Sequence, residues 1–319
     1  MKNETLAQEI YDVALEYGFD NCGIIPLSDL DGYKERLDER KNKIPQSKDF
    51  YQRMDGLTKV QEYYPWAKSI IICTTWLGKY RYPESLQGKY AKSFFLSPES
   101  VPGCKVHQDK IGFETWLTEH NIRWEGGKKH GPSRNIPLRH AAVKAGLGIF
   151  RKNNFFYTEK GSYVELEGYV IDKECIYKQT SNLRPCAESC TLCQKGCKTH
   201  ALCAPYTMNP MSCISFWTTF GQGKIPPHLE ENQFTDWICG CDDCQDACPY
   251  NKRHDWNRGE DFPGLNELVE LAKPENILKA SDECLCEHIV PKTVDHIAPE
   301  NVNILRICAK RVLEQAIDK

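Results

Sequence analysis

The sequence predicts an α+β protein: an N-terminal α/β domain at 1–175, a cysteine-rich domain at 176–255 and a helical segment at 256–319. Three observations carry that expectation. Residues 5–18 place Leu6, Ile10, Val13, Ala14 and Tyr17 at helical spacing, and two strand-length apolar runs follow at 21–25 and 69–76. Ten of the seventeen cysteines crowd into residues 186–248, a density that a folded core does not require. Finally, 302–317 repeats apolar residues with the period of an amphipathic helix.

Taken in order, the first helix has a possible capping box in Thr5 and Gln8 and a terminator in Gly18. Residues 30–55 are charged and helix-prone, a solvated face. The run at 69–76 has the length and β-branching of a buried strand, whereas 79–102 is rich in Tyr, Phe, Ser and Pro without a period and reads as a long loop. Helical spacing returns at 106–120. Beyond the basic residues Lys128, Lys129 and His130, a helix is expected at about 138–145, then a Gly146-Leu147-Gly148 turn and two strands around a Lys160-Gly161 hairpin. Glycine at 146 and 148 permits positive φ and close approach of the backbone to something bulky, although a helix C-cap explains Gly146 equally well. A further helix is expected from 265 to 272.

The cysteine segment reads C-AES-C-TL-C-QKG-C, a spacer holding Cys213, then C-DD-C-QDA-C-P. Bacterial ferredoxins use C-x2-C-x2-C-x3-C-P, three cysteines serving one 4Fe-4S cluster and the fourth serving another. Cys190, Cys193 and Cys197 keep the x2 and x3 steps, and Cys241, Cys244, Cys248 and Pro249 repeat them. Eight thiols suffice for two clusters in a ferredoxin-like domain. Crossed ligation divides them into Cys186, Cys190, Cys193 and Cys248 for one, and Cys197, Cys213, Cys241 and Cys244 for the other. The competing use is a pair of zinc knuckles, which the x3-C-P ending disfavours. The first gap is x3 rather than x2, which sets Cys186 apart. Cys203 and Cys239 read as packing thiols or substitute ligands, and Cys284 with Cys286 as ordinary thiols.

Composition narrows the partners. With 41 basic against 44 acidic residues and a net charge of -3, the chain carries no footprint of strong nucleic-acid binding. Residues 1–6 are polar and no apolar run approaches ~18 residues, so a reducing cytoplasm and no membrane are expected.

Several phrases together carry a resemblance. CISFWTTFGQGKIPPHLEE at 213–231, the following ICGCDDCQDACPYNK, KAGLGIFRKNNFF at 144–156, GSYVELEGYVI at 161–171 and EYGFDNCGIIP near the start resemble the epoxyqueuosine reductase family, related to reductive dehalogenases. The resemblance covers most of 5–250. It implies cobalamin held base-off in the N-terminal domain, with Gly146, Leu147, Gly148, Lys152, Asn153, Gly161 and Ser162 approaching the corrin. It implies two 4Fe-4S clusters fed by a low-potential donor such as ferredoxin or flavodoxin, and reductive removal of an oxygen or similar leaving group. Two departures stand out. The family phrase V-D-T-A-P-x-L-E carries a proton-donating aspartate, and here GPSRNIPLRH puts Pro132 or Ser133 in its place. The chain also stops about where a tRNA-binding helical extension of longer members would begin. Arg139, His130, His140, Ser133 and the loop residue Tyr90 are therefore the candidate proton donors. The expected substrate is a small molecule in a pocket formed by 80–102 and 130–139, with tRNA less favoured. An electron carrier without an organic substrate, and a small-molecule dehalogenase, are the alternatives.

Overall fold

The computed structural model describes residues 2–127, 135–234, 236–251 and 255–317. The chain forms two compact units: residues 1–76, 103–151 and 155–186 make the first, and 77–102, 152–154 and 187–319 the second.

The first unit is built on a four-stranded sheet in the order Asn21–Pro26, Ser69–Trp76, Val164–Ile171, Trp124–Gly126, with every neighbouring pair antiparallel. Ser69–Trp76 is central and buried along nearly its whole length, which explains its continuous apolar sequence. Helices cover both faces. On one, Ala7, Ile10 and Ala14 of Lys2–Glu16 and Phe113 and Leu117 of Lys105–Glu119 pack on Ile24, Ile71, Cys73 and Tyr169. On the other, Ala141, Ala142 and Ala145 meet Ile70, Ile72 and Val170. Burying each large aliphatic side chain supplies about 1.5–3 kcal/mol, so the alternation that sends Ile71 and Ile72 to opposite faces ties both helical layers to one strand.

Local expectations needed adjustment at three points. The first helix begins at Lys2, so Thr5 lies inside it and Gln8 donates to Asp12 Oδ1 at 2.9 Å, a turn further on, where a capping box was expected. Gly18 does end that helix in the left-handed region, at φ 82°. The Lys160-Gly161 turn forms through reciprocal backbone bonds between Thr158 and Gly161, but the short strand before it, Phe156–Tyr157, pairs with Ile149–Phe150, while Val164–Ile171 joins the main sheet. The helix expected at 265–272 is one 3-10 turn, Asn266–Leu268, and regular helix resumes at Pro274–Lys279.

The second unit gathers the cysteine segment from Ala187 onward, the C-terminal helices and residues 77–102. That last stretch is a buried strap. Tyr82 and Tyr90 are fully buried, Tyr82 Oη donates to the Tyr90 carbonyl at 2.8 Å, and Tyr90 Oη donates to the Ala272 carbonyl at 2.7 Å. Lys92 ties the strap to the second motif, its backbone N–H donating to Asp242 Oδ2 at 2.8 Å and its ammonium pairing with Asp246 at 2.9 Å. A segment whose aromatic side chains are this committed does not serve as the free substrate-pocket wall expected at 80–102, and Tyr90, its hydroxyl donating to the Ala272 carbonyl, is not positioned to deliver a proton. Among the described residues, no helix is long and apolar enough to cross a membrane.

Candidate functional site

Two short helices carry the metal motifs, Leu192–Gly196 in the first and Asp243–Asp246 in the second, and they pack closely. A side chain at Gly196 would stand 2.7 Å from Ala247 Cβ, so glycine there lets the turns meet. The spacing that brings them together also groups thiols. Cys213 raises the pKa of Cys241 and Cys244, Cys244 that of Cys241, and Cys197 that of Cys213 and Cys244. Burial is the leading cause in each case, carrying Cys213 up to about 11 and Cys241 and Cys244 well above their ordinary value. Backbone N–H groups of Phe216 and Ser215 point at the Cys213 sulfur and partly offset this. Cys213 is thus the hub of a set of half-buried thiols; among the described residues no three metal-ligating side chains already converge on one point, so a cluster would have to draw these thiolates in and displace their protons on loading. Cys244 also senses Cys193, which with Cys248 is buried in the same unit.

Cys186 is the last residue of the first unit, and Arg151 Nη1 approaches its Sγ at 3.7 Å. Cys190 is half-buried in the second unit. Of the other cysteines in the segment, Cys203 is exposed, and Cys239 is a buried packing thiol beside Cys308, with burial pushing its pKa up.

Lys152 and Asn153 lie far from the role that resemblance implied for them. The buried Lys152 ammonium donates to the carbonyls of Ala187, Glu188 and Cys190 at 2.8, 2.6 and 3.0 Å, which uses all three of its donors on the loop between the first two motif cysteines. Asn153 Nδ2 donates to the Cys244 carbonyl at 3.3 Å. Both residues therefore brace cysteine loops, and Lys152 has no donor left for a corrin amide. The glycines are likewise occupied by the protein itself. A Cβ on Gly146, at φ 76°, would lie 1.9 Å from the Gln179 carbonyl oxygen, and one on Gly148 would lie 2.0 Å from that of Tyr157. Gly161 sits in its turn at φ 111°, and Ser162 beside it is buried.

Gly146 and buried Leu147 do border a cavity of about 180 Å³ in the first unit, with Asp20, Trp76, Lys160 and Gln179 among its walls. At ~30 Å³ per water it holds roughly six waters, well below the ~300 Å³ at which ligand pockets usually begin. It is partly open to solvent, and its volume is that of a bicyclic base. Lys160 pairs with Asp20 Oδ1 at 2.5 Å, and Asp20 Oδ2 accepts from the Trp76 backbone at 2.6 Å.

The expected proton donors separate. Arg139 is exposed on the helix Leu138–Lys144, while His140 on the same helix is buried, its ring 5.4 Å from that of Tyr33. Burial, then the nearby Arg36 and Lys144, lowers the His140 pKa to about 4, so the ring is neutral at pH 7 and acts as a packing group. The unfolded chain binds this proton near pH 6.5 and the folded chain only near 4, so stability falls as pH drops through that window and levels below it. At ~1.36 kcal/mol per unit the full loss approaches about 3 kcal/mol. In urea titrations His140→Gln should flatten the change between pH 7 and 5; an unchanged slope would show that other groups set it. His130 and Ser133 lie outside the described residues.

Sequence reasoning missed a buried ion cluster on the sheet, in which Lys110 pairs with Glu165 at 3.0 Å and with Glu167, and Tyr169 Oη donates to Glu167 at 2.8 Å. The period-2 placement of Glu165, Glu167 and Tyr169 on one strand face was a signal for it.

The family model of the 4Fe-4S double cluster binding domain matches residues 186–251, the segment that holds all eight candidate ligand cysteines. Epoxyqueuosine reductase of Cellulophaga algicola is 28% identical over 272 residues, which are 82% of this chain and 84% of that one. Over most of its length the chain is similar to epoxyqueuosine reductases, and its cysteine segment matches the 4Fe-4S double cluster binding domain. The family member from Cyclobacterium marinum is similar at 28% over 85% of this chain and 87% of its own. Among solved structures, epoxyqueuosine reductase from Streptococcus thermophilus shares the fold at a TM-score of 0.72 and 22% identity, covering 98% of this chain and 82% of that one. A family structure with an epoxyqueuosine-modified tRNA-Tyr stem loop shares it at 0.67 and 22%, over 98% and 84%.

Proposed function

We propose that this chain is a member of the epoxyqueuosine reductase family and a cobalamin-dependent reductase that removes an oxygen or similar leaving group from a molecule smaller than tRNA. The observation that carries the reading is the pairing, in one chain, of a desolvated thiol group at Cys197, Cys213, Cys241 and Cys244 with a separate base-sized cavity bordered by Gly146 and Leu147. Eight cysteines, the Cys186, Cys190, Cys193 and Cys248 set and the Cys197, Cys213, Cys241 and Cys244 set, would hold two 4Fe-4S clusters. Gly146 and Leu147, at the border of that cavity, would be the residues beside the base of a bound cobalamin. Bound cobalamin supplies a low-valent cobalt centre able to reduce a carbon-oxygen bond. Lys152 and Asn153 hold the cysteine loops in shape. His130 and Ser133, in the segment where relatives carry an aspartate, are the proposed source of the proton, because His140 is buried and neutral and Tyr90 is bound to a carbonyl.

A small substrate follows from the near balance of 41 basic and 44 acidic residues, since a tRNA ligand is held largely through phosphate contacts. The relatives' name, and the stem loop bound to one of them, favour the second reading, epoxyqueuosine in tRNA. Anaerobically reconstituted protein mixed with cobalamin should change the visible spectrum of the cofactor; no change would sink the cobalamin reading. Reduced enzyme given epoxyqueuosine-containing tRNA should form little queuosine by mass spectrometry. Turnover at the rate of an authentic family member would overturn the small-substrate reading and install the tRNA one.

A further inference from the structure

The two cysteine motifs stand in opposite electrostatic surroundings. In the loop from Ala187 to Cys190 three carbonyls converge on the Lys152 ammonium, a cation nine-tenths buried and placed by the chain that leaves the first unit. The preceding residue, Arg151, is also buried and directs Nη1 to the Cys186 sulfur at 3.7 Å. The acidic and basic side chains in the first motif itself, Glu188 and Lys195, are exposed and screened by water. The second motif instead carries carboxylates between its cysteines. Asp242 and Asp243 stand directly between Cys241 and Cys244, Asp243 Oδ1 accepting from Trp237 Nε1 at 3.1 Å and Asp242 Oδ2 from the Lys92 backbone N–H at 2.8 Å, so both carboxylates are fixed beside the cysteines. Asp242 and Asp246 share the single buried cation Lys92, while Lys198, which also acts on Asp243, is exposed.

Cluster potentials respond to nearby net charge, to hydrogen bonds and to solvent exposure. A buried cation favours the added negative charge of the reduced state, and a nearby carboxylate opposes it. Resting on the two-cluster reading above, we propose that Lys152 is a positioning and potential-setting residue: it makes the cluster assigned to Cys186, Cys190, Cys193 and Cys248 the easier of the two to reduce. Asp243 makes the cluster assigned to Cys197, Cys213, Cys241 and Cys244 the harder. The order of reduction is then built into the charges of the two loops, and Lys152 does this without touching substrate.

The test is a dithionite titration of anaerobically reconstituted full-length protein, with each cluster followed by electron paramagnetic resonance and with iron and acid-labile sulfide counted beforehand. About eight irons establish the two-cluster reading by themselves; a count that fails there indicts that reading, independently of the potentials. With both clusters present, two separate reduction waves are expected. Lys152→Gln should move the higher wave to lower potential by at least a tenfold change in the oxidised-to-reduced ratio at fixed potential, 59 mV for one electron. Lys152→Arg, which keeps the charge, should restore most of it. Asp243→Asn, which keeps the acceptor for Trp237 Nε1, should move only the lower wave, upward. If Lys152→Gln costs a cluster, the Asp243→Asn shift decides alone. Unmoved waves in both variants, or a Lys152→Gln shift in the lower wave, would overturn the proposal.

Discussion

Cys213→Ala is expected to halve the iron of the anaerobically reconstituted protein, from about eight to about four per chain, and to leave the chain folded. Cys213 stands alone between the two motifs in sequence, yet its sulfur lies within electrostatic reach of Cys197, Cys241 and Cys244. Desolvation makes it a poor thiolate without metal, so loading a cluster on it would displace a proton. The crossed assignment makes a sharper demand. Cys197→Ala, though it alters the first motif, should remove the same cluster as Cys213→Ala. Cys248→Ala, though it alters the second, should remove the other one and share its spectroscopic loss with Cys186→Ala. Should Cys197→Ala instead share the loss seen with Cys186→Ala, each motif would serve its own cluster and the crossed scheme would fail. A full complement of iron in Cys213→Ala would remove Cys213 from the ligand set.

The cysteine grammar was legible because cluster spacing is local: three-residue and four-residue steps are fixed by one turn of chain and do not depend on tertiary context. The central strand Ser69–Trp76 was legible for a related reason, since burial on both faces leaves an unbroken apolar run. What the sequence hid were partners distant in the chain. Lys152 sits in a phrase that resembles a cofactor-binding one, and only the fold shows its ammonium turned to the carbonyls of Ala187, Glu188 and Cys190. The stretch 79–102 lacks periodicity, which suggests a loop; its order comes from single long-range bonds such as Tyr90 to Ala272, and these leave no pattern behind. Lys110 buried against Glu165 and Glu167 is the same lesson in charge: each residue alone looks like surface.

Gly146→Val is expected to destabilise the first unit by roughly 3–5 kcal/mol, combining backbone strain with steric overlap. The residue sits at φ 76°, a region that β-branched side chains avoid, and its Cβ would fall 1.9 Å from the Gln179 carbonyl oxygen. Relief by side-chain motion is not available, because the obstacle is backbone, held by the Gln179 N–H donating to the Ala145 carbonyl at 2.8 Å. Gly32→Ala is the control in the same unit: φ is 85° there and nothing lies within 4 Å of the added Cβ, so it should show the strain alone, about 1–2 kcal/mol. Urea unfolding followed by tryptophan fluorescence, beside iron content as a separate readout of the second unit, distinguishes the two substitutions. A Gly146→Val protein that unfolds at the wild-type midpoint but no longer binds cobalamin would show that this glycine serves the cofactor, and that the close approach of Gln179 yields when a side chain is placed there.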